Sequence, residues 1–281
     1  MEGNSVKKII FIYKGSSLGN LNAYAHCTWV KDCAKDYNIQ YWGKGFVKDI
    51  SLKALRHYID SFQPDYIYMT LRKKYKYWLP NLRSIKVPKI FVEVDTQKYD
   101  RYDPWYDQFD RLLCREPSFG NWGDVPLFKW SAPEKAFPTK AERQMPKKGI
   151  RFLGHCTGST YSMRKMLSRR LQRQVWFGKV KGPRYWSAIK QSAALLCPTE
   201  SNFGDFIPAK LFEFLASGSA VLTNCDLNGY GCPELVPYVI QYKNLRDLRR
   251  KLKLDFTPYH NRTTKIMRRY THRFRYKKLF G

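Results

Sequence analysis

One stretch of the chain combines a lysine and a glutamate in a setting that suits a phosphate and a sugar. Residues 203–218 read FGDFIPAKLFEFLASG, and Lys210 stands three positions before Glu213. Pro208 can open a helix and Gly218 can close it, so both side chains lie near a helix N-terminus, one turn apart. A cation there stabilises a phosphate, and a carboxylate can accept both hydroxyls of a ribose. The spacing therefore indicates a site for a nucleoside diphosphate.

The same stretch resembles the donor-binding motif P-x-K-x-x-E-x-x-A-x-G of GT-B glycosyltransferases, running here from Pro208 to Gly218. The resemblance implies that Lys210 contacts the donor phosphates and that Glu213 binds the ribose. It also implies an α/β GT-B fold, in which two Rossmann-like domains face each other across a cleft and a C-terminal helix crosses back to the first domain. The alternative is an ordinary amphipathic helix with a solvated lysine and glutamate.

Other residues are expected on the donor side. The loop GHCTGST supplies Gly154, Ser159 and Thr160, whose donors suit a diphosphate. Arg164 follows at the start of a helix, where it either stabilises the leaving group with Lys210 or is solvated, and Lys179 or Lys181 could assist. Asp205 is expected in the loop that faces the donor sugar. It stands eight residues before Glu213, as in the paired acids of many retaining enzymes, but the two motifs overlap and the stereochemical outcome stays open.

An inverting transfer also needs a base that takes the acceptor proton. Asp95 is the predicted catalytic base, because it follows the apolar strand VPKIFVEV and should lie at the carboxyl edge of a sheet, where ligands of α/β proteins bind. Glu93 shares its face of the strand. His26 and His155 are alternatives, and a structural turn residue is the plain reading of Asp95.

A basic and aromatic segment is the predicted acceptor surface. Residues 71–89 read LRKKYKYWLPNLRSIKVPK and contain no acidic residue. Basic side chains bind phosphates, and interleaved aromatic rings can stack on bases. We expect the acceptor to contact Arg72, Lys73, Lys74, Tyr75, Lys76, Tyr77 and Trp78.

The net charge of +28 and the pI of about 9.8 indicate a polyanionic partner. The first candidate acceptor is a hydroxymethylated pyrimidine base in DNA of the phage type, which would have to be flipped out of a duplex. The second is a lipid-linked or envelope saccharide on an anionic membrane. A nucleic-acid-binding protein without activity is a third possibility, but simple binding needs no carboxylate for a ribose.

No cofactor and no metal are expected beyond a nucleotide-sugar co-substrate, predicted to be a UDP-sugar, because no D-x-D segment reads as a metal site. The acids in the segment DPWYD, residues 103–107, are interpreted as loop or helix-cap residues. Seven scattered cysteines without a C-x-x-C pair predict reduced thiols, with Cys114 and Cys197 in the core. No apolar run of about 18 residues occurs, so we expect no transmembrane helix and a cytoplasmic location, in the host cell if the protein is viral.

Strand-like and helical segments alternate along both halves of the chain, which predicts two parallel sheets with helical crossovers. A linker rich in proline and charge, residues 130–148, separates them. The predicted domains are residues 1–145 for the acceptor, 146–261 for the nucleotide-sugar, and a basic helix 262–281 that packs on the first domain. The resemblance to GT-B enzymes covers the second half better than the first.

Overall fold

The computed structural model of the chain describes residues 6–15, 27–72, 75, 77–94, 96, 99–115, 121–154, 156, 162–199 and 207–281. It forms two compact units. Unit 1 comprises Met1–Lys129 and Arg275–Gly281, and unit 2 comprises Trp130–Phe274. Each unit is described by itself below.

Unit 1 is built on a parallel sheet in the order β2-β1-β3-β4-β5. The helix Leu52–Phe62 follows Ser51, whose side chain accepts a hydrogen bond from the amide of Ala54, and its C-cap is Gln63 in a left-handed conformation. The segment Pro104–Gln108 is a 3₁₀ helix. The strands of unit 1 are β1 Lys8–Ile12, β2 Asn38–Trp42, β3 Tyr66–Thr70, β4 Lys89–Glu93 and β5 Arg111–Cys114, and its α-helices are α1 Trp29–Cys33 and α2 Leu52–Phe62.

Unit 2 is built on a second parallel sheet in the order β10-β9-β8-β6-β7. Its strands are β6 Ile150–Leu153, β7 Trp176–Gly178, β8 Ala194–Cys197, β9 Ala220–Thr223 and β10 Ile240–Gln241. Its helices are α3 Lys140–Gln144, α4 Ser162–Leu171, α5 Pro183–Gln191, α6 Ala209–Ala216 and α7 Leu245–Lys251, with 3₁₀ helices Glu134–Ala136, Pro233–Tyr238, Thr257–Tyr259 and Ile266–Tyr270. Helix α8, His272–Phe280, spans the division between the two units.

Both sheets have the same doubly wound topology. Numbered within its unit, each sheet has the order 2-1-3-4-5, so the winding reverses between its first and third strands. Ligands of open α/β sheets bind at the carboxyl ends of the strands beside such a reversal. In unit 2 this position lies between β6 and β8, and the loops that lead into α4 and α6 leave from it. The prediction of two parallel α/β sheets is confirmed.

The predicted boundaries differ from the division that the chain makes. The boundary at residue 145 falls inside unit 2, because Trp130 donates its amide to the hydroxyl of Tyr230 and Ala132 pairs with Thr271 there. The segment 262–281, predicted as one basic helix that packs on the first domain, is not continuous. That segment forms the 3₁₀ helix and then α8, and only Arg275–Gly281 belong to unit 1.

The end of α8 completes the core of unit 1. The ring of Tyr276 stacks on Trp29 with centroids 4.2 Å apart, and its hydroxyl lies 3.1 Å from that of Tyr68. Phe280 packs against Tyr37 and Tyr68. These residues are buried, so the last turns of the chain supply part of the hydrophobic core that the strands of unit 1 alone leave open.

Candidate nucleotide-binding site

Lys210 reaches across the winding reversal of unit 2. It lies in the first turn of α6, after β8, but its Nζ donates a 2.6 Å hydrogen bond to the carbonyl of Leu153 at the end of β6. An ideal Cβ on the next residue, Gly154, would lie 3.3 Å from this Nζ and 3.1 Å from Cζ of Phe152. The absence of a side chain at Gly154 therefore leaves room for the ammonium group. Since an ammonium has three donors, two can serve a ligand.

Glu213 lies one turn later on α6 and is 9% exposed. Its Oε2 accepts a 2.5 Å hydrogen bond from the hydroxyl of Tyr185, in the first turn of α5. The ring of Tyr185 also faces Lys210, with Nζ 5.8 Å from its centroid. A carboxylate has about four acceptor positions, so capacity for sugar hydroxyls remains. Lys190 pairs with Glu142 rather than with Glu213.

The helix itself explains why these two polar side chains are held so closely. Every residue from Leu211 to Ala216 is buried. A helix that is apolar on all sides is fixed by packing all round rather than along one stripe. The two functional side chains therefore leave a rigid element, and the ordinary amphipathic helix with a solvated lysine and glutamate does not describe this segment.

Burial and mutual attraction act in opposite directions on the ionisable groups. Burial lowers the pKa of Lys210, and the nearby Glu213 carboxylate opposes that shift. Burial raises the pKa of Glu213, while the hydrogen bond from Tyr185 and the charge of Lys210 lower it. The pKa of Tyr185 is raised well above its usual value, first by burial and then by Glu213. Each group thus depends on its neighbours for its charge state.

Arg164 lies in the first turn of α4, the helix that follows β6. Its guanidinium stands 5.8 Å from the centroid of Phe152, the residue whose ring borders Gly154. Its charge also contributes to the lowered pKa of Lys210. Three predicted donor-site residues, Gly154, Arg164 and Lys210, therefore lie together at the carboxyl ends of the central strands of unit 2.

Comparison with known proteins gives matches at the level of the fold. No protein-family model and no curated protein matches the chain. AviGT4, a glycosyltransferase involved in avilamycin A biosynthesis, superposes with a TM-score of 0.58 at 13% identity, over 98% of this chain and 97% of its own. HepE from Anabaena, in complex with UDP and glucose, gives 0.57 at 8% identity, over 97% and 98%. This chain has the GT-B fold.

GT-B topology is not confined to transferases among the solved structures. A UDP-GlcNAc 2-epimerase from Neisseria meningitidis bound to UDP-GlcNAc superposes with a TM-score of 0.52 at 11% identity, over 97% of this chain and 98% of its own. The three proteins share a fold with this chain and little sequence, so the fold class is established and the reaction is argued from the site.

Several predicted residues of the GT-B sites lie outside the described residues. On the donor side these are Ser159, Thr160 and Asp205, and among the possible bases they are Asp95, His26 and His155. Their roles stay predictions. Of the predicted acceptor residues, Lys73, Lys74 and Lys76 also lie outside.

Two predicted acceptor residues are internal to unit 1. Tyr75 is buried, and its hydroxyl donates to the carbonyl of Ile12 at 2.6 Å and accepts from the amide of Thr70. It thereby satisfies backbone groups at the ends of β1 and β3, so its ring cannot stack on a base. The side chain of Arg72 is 11% exposed and forms an ion pair with Asp103.

The rings around Arg72 explain its position. Its guanidinium lies 5.1–5.2 Å from the centroids of Tyr99, Trp105 and Tyr106, a cage that favours a cation. Among the other predicted acceptor residues, Trp78 is half-buried against Trp42, whereas Tyr77 is 86% exposed. Tyr77 is therefore the most exposed of the described aromatic residues of this segment.

Sequence reasoning missed two residues near the site. Tyr185 could have been noticed, since the dipeptide Gly182-Pro183 predicts a helix start directly after a strand. Lys135 could not, because it comes from the preceding segment Trp130–Phe137. Its Nζ lies 4.6 Å from the centroid of Trp186, and its charge lowers the pKa of Glu213. It adds a second cation beside the glutamate.

The described residues contain no cluster of three or more side chains able to hold a metal ion. Asp103 caps the 3₁₀ helix Pro104–Gln108 by accepting from the amide of Trp105, as interpreted from the sequence. All seven cysteines are free thiols, and Cys114 and Cys197 are buried as predicted. Over the described part of the chain, no helix has the length and apolar character needed to span a membrane.

Proposed function

We propose that this chain is a glycosyltransferase that moves a hexose from a nucleotide-sugar, a UDP-sugar in the first instance, to a hydroxyl group of an acceptor. The observation that carries the proposal is the position of Lys210, whose Nζ lies at the end of β6 while the buried carboxylate of Glu213 follows one turn later. A cation near a helix N-terminus suits a diphosphate, and a carboxylate one turn later can accept hydrogen bonds from the ribose hydroxyls.

The residues allow a metal-independent transfer. The acceptor oxygen forms a bond to the anomeric carbon as the bond from that carbon to the diphosphate breaks, and the nucleoside diphosphate leaves. Lys210 and Arg164 stabilise the negative charge that develops on the leaving oxygen. Glu213, held by Tyr185, binds the ribose. The acceptor proton passes to a carboxylate, for which Asp95 is our candidate.

We propose that the acceptor belongs to a polyanion, and a hydroxymethylated pyrimidine base in DNA is the first candidate. The net charge of +28 supports it, as does the exposed ring of Tyr77 in the basic segment 71–89. A flipped base needs stacking partners and a positively charged path for the backbone.

A second candidate is a saccharide carried on a lipid or in the cell envelope. The observation that favours it is Trp176, which is 51% exposed on the edge strand β7. An ideal Cβ on Gly178 would lie 2.1 Å from the ring of Trp176, so the absence of a side chain there lets one side of the ring rest on the strand. A tryptophan so placed on a cationic protein suits a lipid–water interface.

One experiment separates the candidates. The protein is incubated with radiolabelled UDP-sugars and either hydroxymethylated DNA or a membrane lipid extract, and sugar incorporation is measured. Label in DNA that Glu213→Ala abolishes supports the first candidate, and label only in lipid supports the second. No transfer and no donor hydrolysis with any UDP-sugar or GDP-sugar contradicts the glycosyltransferase proposal.

A further inference from the structure

Helix α4 presents a row of cations on its outward side. Lys165 and Arg169 are four residues apart and therefore lie on one face, and Arg170 and Arg173 extend that face into the following turn. All four side chains are exposed. The charge is not balanced locally, since the 57 residues from 143 to 199 contain 13 lysines and arginines and no acidic residue.

Helix α7 has the same character. Arg246, Arg249 and Arg250 follow the spacing i, i+3, i+4 of a single helical face, and Lys253 follows in the turn after the helix. All four side chains are exposed. Asn244 caps the N-terminus of this helix, and the acid within the helix, Asp247, pairs with Arg250 and Lys251. The other three cations of the row are left without an ion pair among the described residues.

The two rows lie on the same face of the sheet of unit 2. Leu167 and Leu171 of α4, Leu248 of α7 and the C-cap residue Leu252 enter one hydrophobic cluster with Phe152 of β6. Because both helices turn their apolar sides to this cluster, their charged sides both point to solvent. We call the outward set the cationic face; it consists of Lys165, Arg169, Arg170, Arg173, Arg246, Arg249, Arg250 and Lys253.

The stability of the helices does not explain this face. One or two cations in a last turn favour the helix dipole. Like charges four residues apart, such as Lys165 and Arg169 or Arg246 and Arg250, instead destabilise a helix. The number of cations on this surface is larger than helix stability can explain. Binding of an anionic partner accounts for the excess positive charge.

The form of the face favours nucleic acid over a membrane. An interfacial helix places its apolar side in the lipid, whereas α4 and α7 bury theirs against the sheet. Neither helix has an exposed large apolar side chain among its described residues, and Leu254, 43% exposed, lies beyond the end of α7. Six of the eight residues are arginines, and one guanidinium group can bind two phosphate oxygens at once.

We propose that the cationic face binds the phosphate backbone of duplex DNA. This inference deepens the DNA part of the proposed function and rests on it for the class of partner. It differs from the sequence prediction in assigning the backbone contacts to α4 and α7 of unit 2. Binding requires no donor sugar and no transfer, so its failure is measured separately from that of the catalytic proposal.

The test is fluorescence anisotropy of a short labelled DNA duplex of unmodified sequence, titrated with the full chain between about 50 and 200 mM salt. The variant combines Arg169→Gln, Arg173→Gln and Arg249→Gln. A matched control removes three exposed lysines of unit 1 with Lys35→Gln, Lys48→Gln and Lys53→Gln. Both variants have the same net charge, and circular dichroism with thermal unfolding checks that each is folded.

We expect the α4–α7 variant to bind the duplex at least about 10-fold more weakly, with the slope of log K against log salt reduced by about 2 to 3, close to one for each phosphate that an arginine no longer binds. The control should change affinity less than about twofold on the same scale. Equal reductions of affinity in the two variants would overturn the proposal. Unchanged DNA binding by the α4–α7 variant would also overturn it. That includes the outcome in which this variant loses only its binding to vesicles of phosphatidylserine and phosphatidylcholine.

Discussion

The hydroxyl of Tyr185 donates a 2.5 Å hydrogen bond to Oε2 of Glu213, and this bond joins the start of α5 to the middle of α6. The tyrosine ring meanwhile faces the ammonium group of Lys210. One side chain thus orients both members of the candidate nucleotide site, the carboxylate through its hydroxyl and the cation through its ring.

Removing that hydroxyl should weaken nucleotide binding. Tyr185→Phe leaves a buried carboxylate without its donor, at a cost of about 1.5–3 kcal/mol, so the Kd for UDP should rise by about 10-fold or more. Burial already raises the pKa of Glu213 and the tyrosine opposes that shift. The pKa should therefore rise further in the variant, and a protonated glutamate accepts hydrogen bonds less well.

The affinity of Tyr185→Phe should accordingly fall more steeply than that of the wild type as the pH is lowered. Isothermal titration calorimetry at several pH values measures this. Tyr58→Phe is the matched control, because its hydroxyl donates to the carbonyl of Tyr41 in unit 1. Equal effects of the two substitutions on UDP binding would remove the positioning role from Tyr185.

Gly154→Ala tests the space beside Lys210. The new methyl group would lie 3.1 Å from Cζ of Phe152 and 3.3 Å from Nζ of Lys210, so the ring or the ammonium must shift by a few tenths of an ångström. We expect UDP affinity to fall about 3- to 10-fold, as for a polar interaction worth roughly 1 kcal/mol, with little loss of stability. Gly123→Ala, which meets no atom within 4 Å, serves as control. An unchanged Kd in Gly154→Ala would show that the site tolerates the displacement.

Lys210→Met should separate phosphate binding from nucleoside binding. The thioether keeps the length of the side chain and loses its charge, so an interaction with phosphate worth about 1.5–3 kcal/mol disappears. UDP should therefore bind about 10-fold or more weakly while uridine is almost unaffected. Glu213→Gln should instead weaken both ligands, because both carry the ribose. If Lys210→Met weakens uridine and UDP equally, the lysine does not contact the diphosphate.

Lys147 should make the stability of unit 2 depend on pH in the alkaline range. Its Nζ donates to the carbonyl of Lys190 at 2.6 Å, and burial lowers its pKa to about 8. The unfolded chain therefore binds more protons than the folded one between about pH 8 and the ordinary lysine value of about 10.4, and stability from this group rises with pH in that window. The Tm of the wild type relative to Lys147→Met should thus increase from about pH 7 to about pH 9.5. A constant difference would contradict the lowered pKa.

The end of α8 should contribute strongly to the stability of unit 1. Tyr276 is buried on Trp29 and also accepts a hydrogen bond from Arg115. Tyr276→Ala leaves a cavity of aromatic size, and we expect a loss of about 3–5 kcal/mol in the free energy of unfolding. Phe274→Ala, whose ring is 38% exposed, should cost much less. Denaturant titration measures both, and equal losses of stability would mean that the stacking on Trp29 is not responsible.

Much of the fold was predictable because its signals are local. The alternation of strand-like and helical segments predicted both parallel sheets, and a local cap such as Ser51 sets where the helix 52–62 begins. The boundary between the units was not predictable in the same way. The linker of residues 130–148 has the composition of a domain boundary, but the contacts of Trp130 and Ala132 that place its start in unit 2 involve residues about 100 and 140 positions away.

The spacing of Lys210 and Glu213 came from the sequence alone, because both lie on one short helix whose geometry relates neighbouring turns. The sequence alone did not identify their partners, Leu153 and Tyr185. Only the parallel sheet brings the end of β6 and the start of α5 next to that helix. The same reason corrects the interpretation of Arg72 and Tyr75. Composition marked them as a cationic and aromatic surface, but whether a side chain faces solvent or a neighbouring strand is decided by long-range packing, and in unit 1 that packing turned both inward.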